Sequence, residues 1–159
     1  MADRPYSEAM DILRTLSTVE IPVYLENHHL SLNNPQGFSP MHYIAGHTSR
    51  TNILRFFFQH CGGNPETAFE GKTLLETACL VNGEAIIYLL LSVLPCYQLE
   101  QEKRVVQTLT VLPPPLREKA ATAWSQRVSH TRRLAFLFVT SKQVLRLPPG
   151  LLRECVLYL

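Results

Sequence analysis

The chain of 159 residues has no long apolar run. Its longest, Ala85 to Pro95 (AIIYLLLSVLP), covers about half of the roughly 20 residues that a membrane-crossing helix needs, so no span is expected. A leader is not expected either, because Asp3, Glu8 and Asp11 interrupt the opening MADRPYSEAMDILRTL before an apolar stretch can build up. Paired cysteines are missing: Cys61, Cys79, Cys96 and Cys155 lie 18, 17 and 59 positions apart, with no C-x-x-C. Isolated thiols on apolar stretches behave as small hydrophobes in a reducing compartment. Buried free thiols are therefore expected, in a soluble protein of the cytoplasm or nucleus. Charge is scarce as well: 18% of residues are charged, and 15 basic against 13 acidic side chains leave a formal +2. That balance gives no argument for nucleic acid. The densest basic group, Arg127, Arg132 and Arg133 with Lys119 and Lys142, reads as a solvated helix face.

Catalytic signatures are absent too. There is no H-E-x-x-H, no phosphate-cradling glycine loop and no G-x-S-x-G. The six histidines do not supply a metal site by spacing. His28 and His29 are adjacent, His47 lies five positions past His42, and His60 stands alone, whereas ligands on one helix face sit four apart. Cys61-Gly62-Gly63-Asn64-Pro65 has the look of a nucleophile loop, but a turn after an apolar helix needs the same residues. No catalytic residue, cofactor or metal is assigned, and a non-enzyme is expected.

What the chain does contain is 46% apolar residues, enough to build a core, and an internal repeat. Gly37-Phe38-Ser39-Pro40-Met41-His42-Tyr43-Ile44-Ala45 is followed by Ile53 to Phe58 (ILRFFF). Gly71-Lys72-Thr73-Leu74-Leu75-Glu76-Thr77-Ala78-Cys79 is followed by Ile86 to Leu91 (IIYLLL), and the two opening glycines stand 34 positions apart. Each unit reads glycine, any residue, a hydroxyl, a helix of small residues, a turn and a bulky apolar helix. Ser39 and Thr73 are placed to accept hydrogen bonds from the first free N–H groups of a helix, and Pro40 is tolerated in its first turn. Gly37 and Gly71 suit a turn that requires positive φ. Ala45, Ala78 and Cys79 allow close packing of the first helices, and the bulky runs fill the space between layers. Phe56, Phe57 and Phe58 exceed what one helix stripe buries, so one of them is expected to face outward. A lone helix pair cannot bury such faces, so the units must stack.

This grammar resembles the ankyrin repeat, whose opening is G-x-T-P-L-H-x-A-A. Gly37, Ser39, Pro40, Met41, His42 and Ala45 match one opening; Gly71, Thr73, Leu75, Ala78 and the run from Ile86 match a second. The resemblance gives His42 the role of bracing the turn. The first unit carries one extra residue between Gly46 and Asn52. In the second, Leu74 and Glu76 replace proline and histidine, so its cap is expected to be weaker. Upstream, Ser7 to Leu16 reads as a helix and Pro22 to Asn33 as a second helix with its exit turn, together a degenerate N-terminal cap.

After Pro95 the spacing stops. Gln98 to Leu109 reads as one helix, Leu112-Pro113-Pro114-Pro115 as a break, and Leu116 to Ser129 as an amphipathic helix carrying Trp124. A separate apolar run, Leu134 to Val139, a second break at Leu145 to Gly150 and a last helix, Leu151 to Leu159, follow. The ending LRLPPGLLRECVLYL resembles the C-terminal half of a SOCS box, with Leu147, Pro148, Pro149, Leu152 and Val156 in the matching places. One residue is missing between the prolines, and Cys155 takes an aromatic place. Where the first half of that box needs leucine and cysteine, this chain has His130 or Arg132 and Leu134 or Phe136. The same ending also resembles the opening of an F-box, through Leu147, Pro148, Leu151, Leu152, Val156 and Leu159. Leu112 to Glu118 has a similar look with no box around it, so a simple turn and helix start is the third reading.

The expected fold is mostly α: a short ankyrin-repeat solenoid over 1–98 (cap 1–33, repeats about 34–66 and 67–98) and a helical C-terminal segment over 99–159. The resemblance implies a protein-binding adaptor that recognises its target through turn fingers and the face lined by first helices, here Asn34, Gln36, Phe38, Tyr43, Glu70, Lys72 and Thr77. Leu147, Pro148, Pro149, Leu152 and Val156 would then dock on an elongin B–C/cullin or F-box-type adaptor, as a monomer within a hetero-complex. Ubiquitin transfer would follow by proximity, with the partners supplying the chemistry. The alternative is a scaffold or inhibitor whose C-terminal helices only cap the stack.

Overall fold

The structure, a computed structural model, describes residues 17, 20–35, 39–46, 50–96 and 98–140, the side chains of the last segment as far as 135. The described residues are mostly helical. The chain divides into two compact units, Met1–Val93 and Leu94–Leu159.

In the first unit, α1 (Ile21–Asn27) carries Pro22 in its first turn, where a missing N–H costs nothing, and buries Ile21, Tyr24 and Leu25. It ends in a Schellman motif: Leu30 N–H donates to Leu25 O at 2.9 Å and His29 N–H to Glu26 O at 3.1 Å. His29 holds the positive φ of 52° that this ending requires. The helix expected from Ser7 to Leu16 lies outside the described residues.

Next comes α2 (Pro40–Ala45), capped by Ser39, whose hydroxyl accepts from His42 N–H at 3.3 Å. Met41, Ile44 and Ala45 are fully buried. Its partner α3 (Thr51–His60) buries Ile53, Leu54 and Phe57. Phe56 and Phe58 flank that stripe and are half-exposed, so a run of three phenylalanines fills one core position and leaves two at its edges. Both Cys61 N–H and Gly63 N–H close the end of α3 on the Phe57 carbonyl, at 3.2 and 2.9 Å.

A two-residue hairpin follows: β1 (Ala68–Phe69) pairs antiparallel with β2 (Lys72–Thr73), Ala68 opposite Thr73 and Phe69 opposite Lys72. Its central residues, Glu70 and Gly71, have φ of 50° and 76°, the two positive values of a type I′ turn, whose twist matches the strands. Gly71 thus fills the role its position implied. Helix α4 (Leu74–Leu80) starts on Thr73, and here the weaker cap expected from the sequence is corrected. The Thr73 hydroxyl accepts from Glu76 N–H at 3.2 Å while the Glu76 carboxylate accepts from Thr73 N–H at 2.7 Å. Replacing histidine by glutamate makes a reciprocal capping box instead of losing a brace. A second Schellman motif ends α4: Gly83 N–H reaches Ala78 O at 3.0 Å and Asn82 N–H reaches Cys79 O at 3.1 Å, with Asn82 at φ 53°. The last helix of the unit, α5 (Glu84–Val93), buries Ile86, Ile87, Leu89, Leu90 and Leu91. Each such side chain contributes on the order of 1.5–3 kcal/mol when fully removed from water.

The helices pair in order. α2 packs on α3 and α4 on α5; α2 also touches α4, and α3 touches α5. Two helix pairs therefore lie side by side, first helix to first and second to second. Loops are tied as well: Asn33 Nδ2 donates to Gly62 O at 3.0 Å, and its Oδ1 accepts from Asn64 N–H at 2.7 Å.

In the second unit, α6 (Leu99–Leu109) buries Val105 and Leu109, and α7 (Pro114–Thr140) buries Ala120, Trp124 and Val128, four positions apart. The prolines do interrupt the chain, but Pro114 and Pro115 form the first turn of α7 rather than an extended stretch. The helix also runs on where two segments were expected. Between Ser129 and Leu134 stand His130, Thr131, Arg132 and Arg133, with no proline or glycine to stop it. Arg132 Nη2 pairs with Glu102 Oε2 at 2.7 Å, tying α7 to α6.

A Cβ added to Gly63 would lie 2.9 Å from Met41 Sδ and 3.1 Å from Phe57 O. Gly63→Ala is expected to cost about 1–3 kcal/mol, the usual penalty for overpacking, read as a lowered urea midpoint with unchanged slope.

Candidate partner-binding surface

His42 is at the centre of the first unit. Its ring is 7% exposed on α2, yet both nitrogens are engaged. Nε2 lies 2.9 Å from the carbonyl oxygen of Lys72, which only accepts, so Nε2 carries the proton. Nδ1 is then the acceptor, and it lies 2.7 Å from the Ser39 hydroxyl, which donates. The Phe69 ring sits 5.8 Å from the imidazole, centre to centre. One neutral side chain thus links the cap of the first helix pair to the hairpin that opens the second. Burial lowers the His42 pKa from its ordinary 6.5, and the Lys72 carbonyl opposes that shift.

The hairpin so held presents Glu70 and Lys72, both exposed, as a finger. Tyr43 on α2 and Thr77 on α4 are half-buried on helices that touch, and Thr77 Oγ1 donates to Thr73 O at 3.1 Å. Asn34 is exposed in the loop after α1, where its N–H donates to Ser31 Oγ at 3.1 Å. The structure therefore brings Glu70 with Lys72, and Tyr43 with the helix of Thr77, while Asn34 belongs to another loop. Gln36 and Phe38, and the tail residues Leu147, Pro148, Pro149, Leu152 and Val156, lie outside the described residues.

Two exposed apolar side chains of the first unit were not expected from the sequence. Leu80 and Val81, at the end of α4, are 61% and 42% exposed. A pair of large apolar residues directly before Asn82-Gly83 was the available signal. They follow the buried Ala78-Cys79 and read as core by composition alone.

Neither Cys79 nor Cys61 is an activated nucleophile. Burial, with the Glu76 charge adding to it, pushes Cys79 up to about 12. Burial also raises half-buried Cys61, the reverse of what a reactive cysteine needs. Cys61 and His60 border a groove of about 470 Å3 with Pro22, Leu25, Leu30 and Leu32 along it. Among the described residues no three His, Cys, Asp or Glu side chains gather as metal ligands, and no helix is long and apolar enough to cross a membrane. Comparison with family models, with curated proteins and with solved structures finds no match for this chain.

Because folding favours neutral His42, the unfolded chain binds more protons as pH falls below about 6.5, and stability drops in that window. Urea unfolding at pH 7.5 and 5.5 is expected to show a lower midpoint at pH 5.5. His42→Gln is expected to cost about 1–3 kcal/mol at pH 7.5 and to shrink the difference between the two pH values. An undiminished difference in the variant would assign the effect to other groups.

Proposed function

We propose that the chain is a non-catalytic protein-interaction adaptor built from ankyrin-like layers, and that its tail couples the captured protein to a cullin–RING ubiquitin ligase. The observation that carries the first half is the His42 bridge. Histidine stands at the ankyrin-signature position, and its ring joins Ser39 of its own layer to the Lys72 carbonyl of the next at 2.7 and 2.9 Å. Side-by-side helix pairs with a type I′ finger between them suit a surface that grips another polypeptide rather than one that encloses a small substrate. The second half rests on the sequence of the tail, where Leu147, Pro148, Pro149, Leu152 and Val156 stand in SOCS-box or F-box places. A scaffold whose C-terminal helices only cap the stack is the competing reading.

Affinity capture with the full chain separates them. An elongin B–C or F-box-type adaptor is expected in the eluate of the wild-type protein and is expected to be lost with Leu147→Asp plus Leu152→Asp, while the thermal midpoint stays within a few degrees. If no cullin component is recovered and the same pair of changes lowers the midpoint instead, the tail is a structural cap and the ligase coupling is wrong.

A further inference from the structure

Helix α7 has a solvent face whose fixed charges are all of one sign. Ala120, Trp124 and Val128 turn inward on α6. Lys119, Gln126, His130 and Arg133, at i, i+7, i+11 and i+14, share the opposite side of the helix, and all four are exposed. The helical rise makes this stripe about 21 Å long. From Lys119 to Arg153 the chain holds no aspartate or glutamate, while seven lysines and arginines fall in the same stretch. The carboxylates of the helix pair do not neutralise the stripe either. Glu100 pairs with Lys103 at 3.3 Å, Glu102 pairs with Arg132 at 2.7 Å, and Glu118 stands just before the stripe begins. Among the described residues no ion pair reaches Lys119 or Arg133. Gln126 and His130 between them add hydrogen-bonding groups and no carboxylate.

We propose that the Lys119–Arg133 face of α7 is a docking site for an acidic helical segment of a partner protein, with carboxylates spaced to meet Lys119 at one end and Arg133 at the other. Charge complementarity selects an anion, and the composition of the face selects among anions. It has no aromatic ring on which a base could stack and no large apolar side chain to enter a bilayer. A formal charge of +2 on the whole chain is too small to hold an extended polyanion, whereas a short acidic segment meets only the local charge. Gln126 and His130 then hydrogen-bond to the partner between the two ionic ends. Neither the finger of the first unit nor the tail residues take part. Because Lys119 and Arg133 are solvated, raising the salt concentration weakens the attraction.

The test uses the full chain and two synthetic helical peptides, one with glutamate at every third or fourth position along one face, the other with glutamine in those places. Calorimetry at low salt is expected to show the glutamate peptide binding about tenfold more tightly than its uncharged counterpart, with the difference shrinking as salt is added. In two-dimensional NMR its resonance shifts are expected to centre on Lys119, Gln126, His130 and Arg133. Lys119→Gln plus Arg133→Gln removes the charge of the face without touching the buried stripe. It is expected to weaken binding about tenfold while the thermal midpoint stays within a few degrees. Arg50→Gln plus Arg55→Gln makes the same change in net charge on α3 and is expected to leave binding within about twofold, since those charges lie outside the docking face. No binding of the glutamate peptide, equal binding of the two peptides, or equal loss with the α3 pair overturns the proposal. Tighter binding of duplex DNA or of phosphatidylserine vesicles than of the glutamate peptide also overturns it, because the face then takes a phosphate polyanion and not an acidic polypeptide.

Discussion

The placing of the first unit's finger depends on one neutral imidazole. His42 is the side chain whose two nitrogens face different layers: it accepts from Ser39, which caps its own helix, and donates to the backbone of Lys72, which begins the next. A hydrophobic contact between α2 and α4 would tolerate sliding, since burial is non-directional. A buried hydrogen bond of 2.9 Å to a specific carbonyl fixes the register of the two helix pairs, because leaving either group unpaired away from water costs more than the bond contributes. The short hairpin gains most from this. Two residue pairs do not make a stable ribbon alone, and the finger keeps its place because its base is anchored to the preceding layer.

How much of this was readable beforehand follows the range of each interaction. Ser39-Pro40 and Thr73 announced helix starts because capping is local chemistry, settled within four residues. Gly71 announced a positive φ for the same reason. Glu76 was misjudged when measured against a family pattern that has histidine there. Read on its own terms, threonine followed three residues later by glutamate is a complete capping box, and the structure uses it as one. Leu80 and Val81 show the opposite limit. Composition places leucine and valine inside, and only the three-dimensional path of the chain after Cys79 shows that these two emerge.

The tail illustrates a different lesson about punctuation. Three consecutive prolines stop α6 from continuing, yet the last two serve as the first turn of α7, since a proline nitrogen has no hydrogen to waste where helix donors are free anyway. The helix then continues past Ser129 because the apolar stripe of Ala120, Trp124 and Val128 gives way to polar residues without any residue that breaks a helix. Loss of amphipathic pattern was mistaken for loss of helix. Arg132 stands on the solvated basic face that the sequence suggests, and from there it also pairs with Glu102 of α6.

The Schellman ending of α4 has a chemical consequence of its own. Asparagine followed by glycine is the dipeptide most prone to age by deamidation, in which the glycine nitrogen closes a five-membered ring on the asparagine side chain and expels ammonia. Here that nitrogen is occupied, its hydrogen bound to the Ala78 carbonyl at 3.0 Å, and Asn82 is held at φ 53°. Ring closure must wait for the turn to come undone, so the chemical lifetime of this protein is set at that point by how often the end of α4 opens.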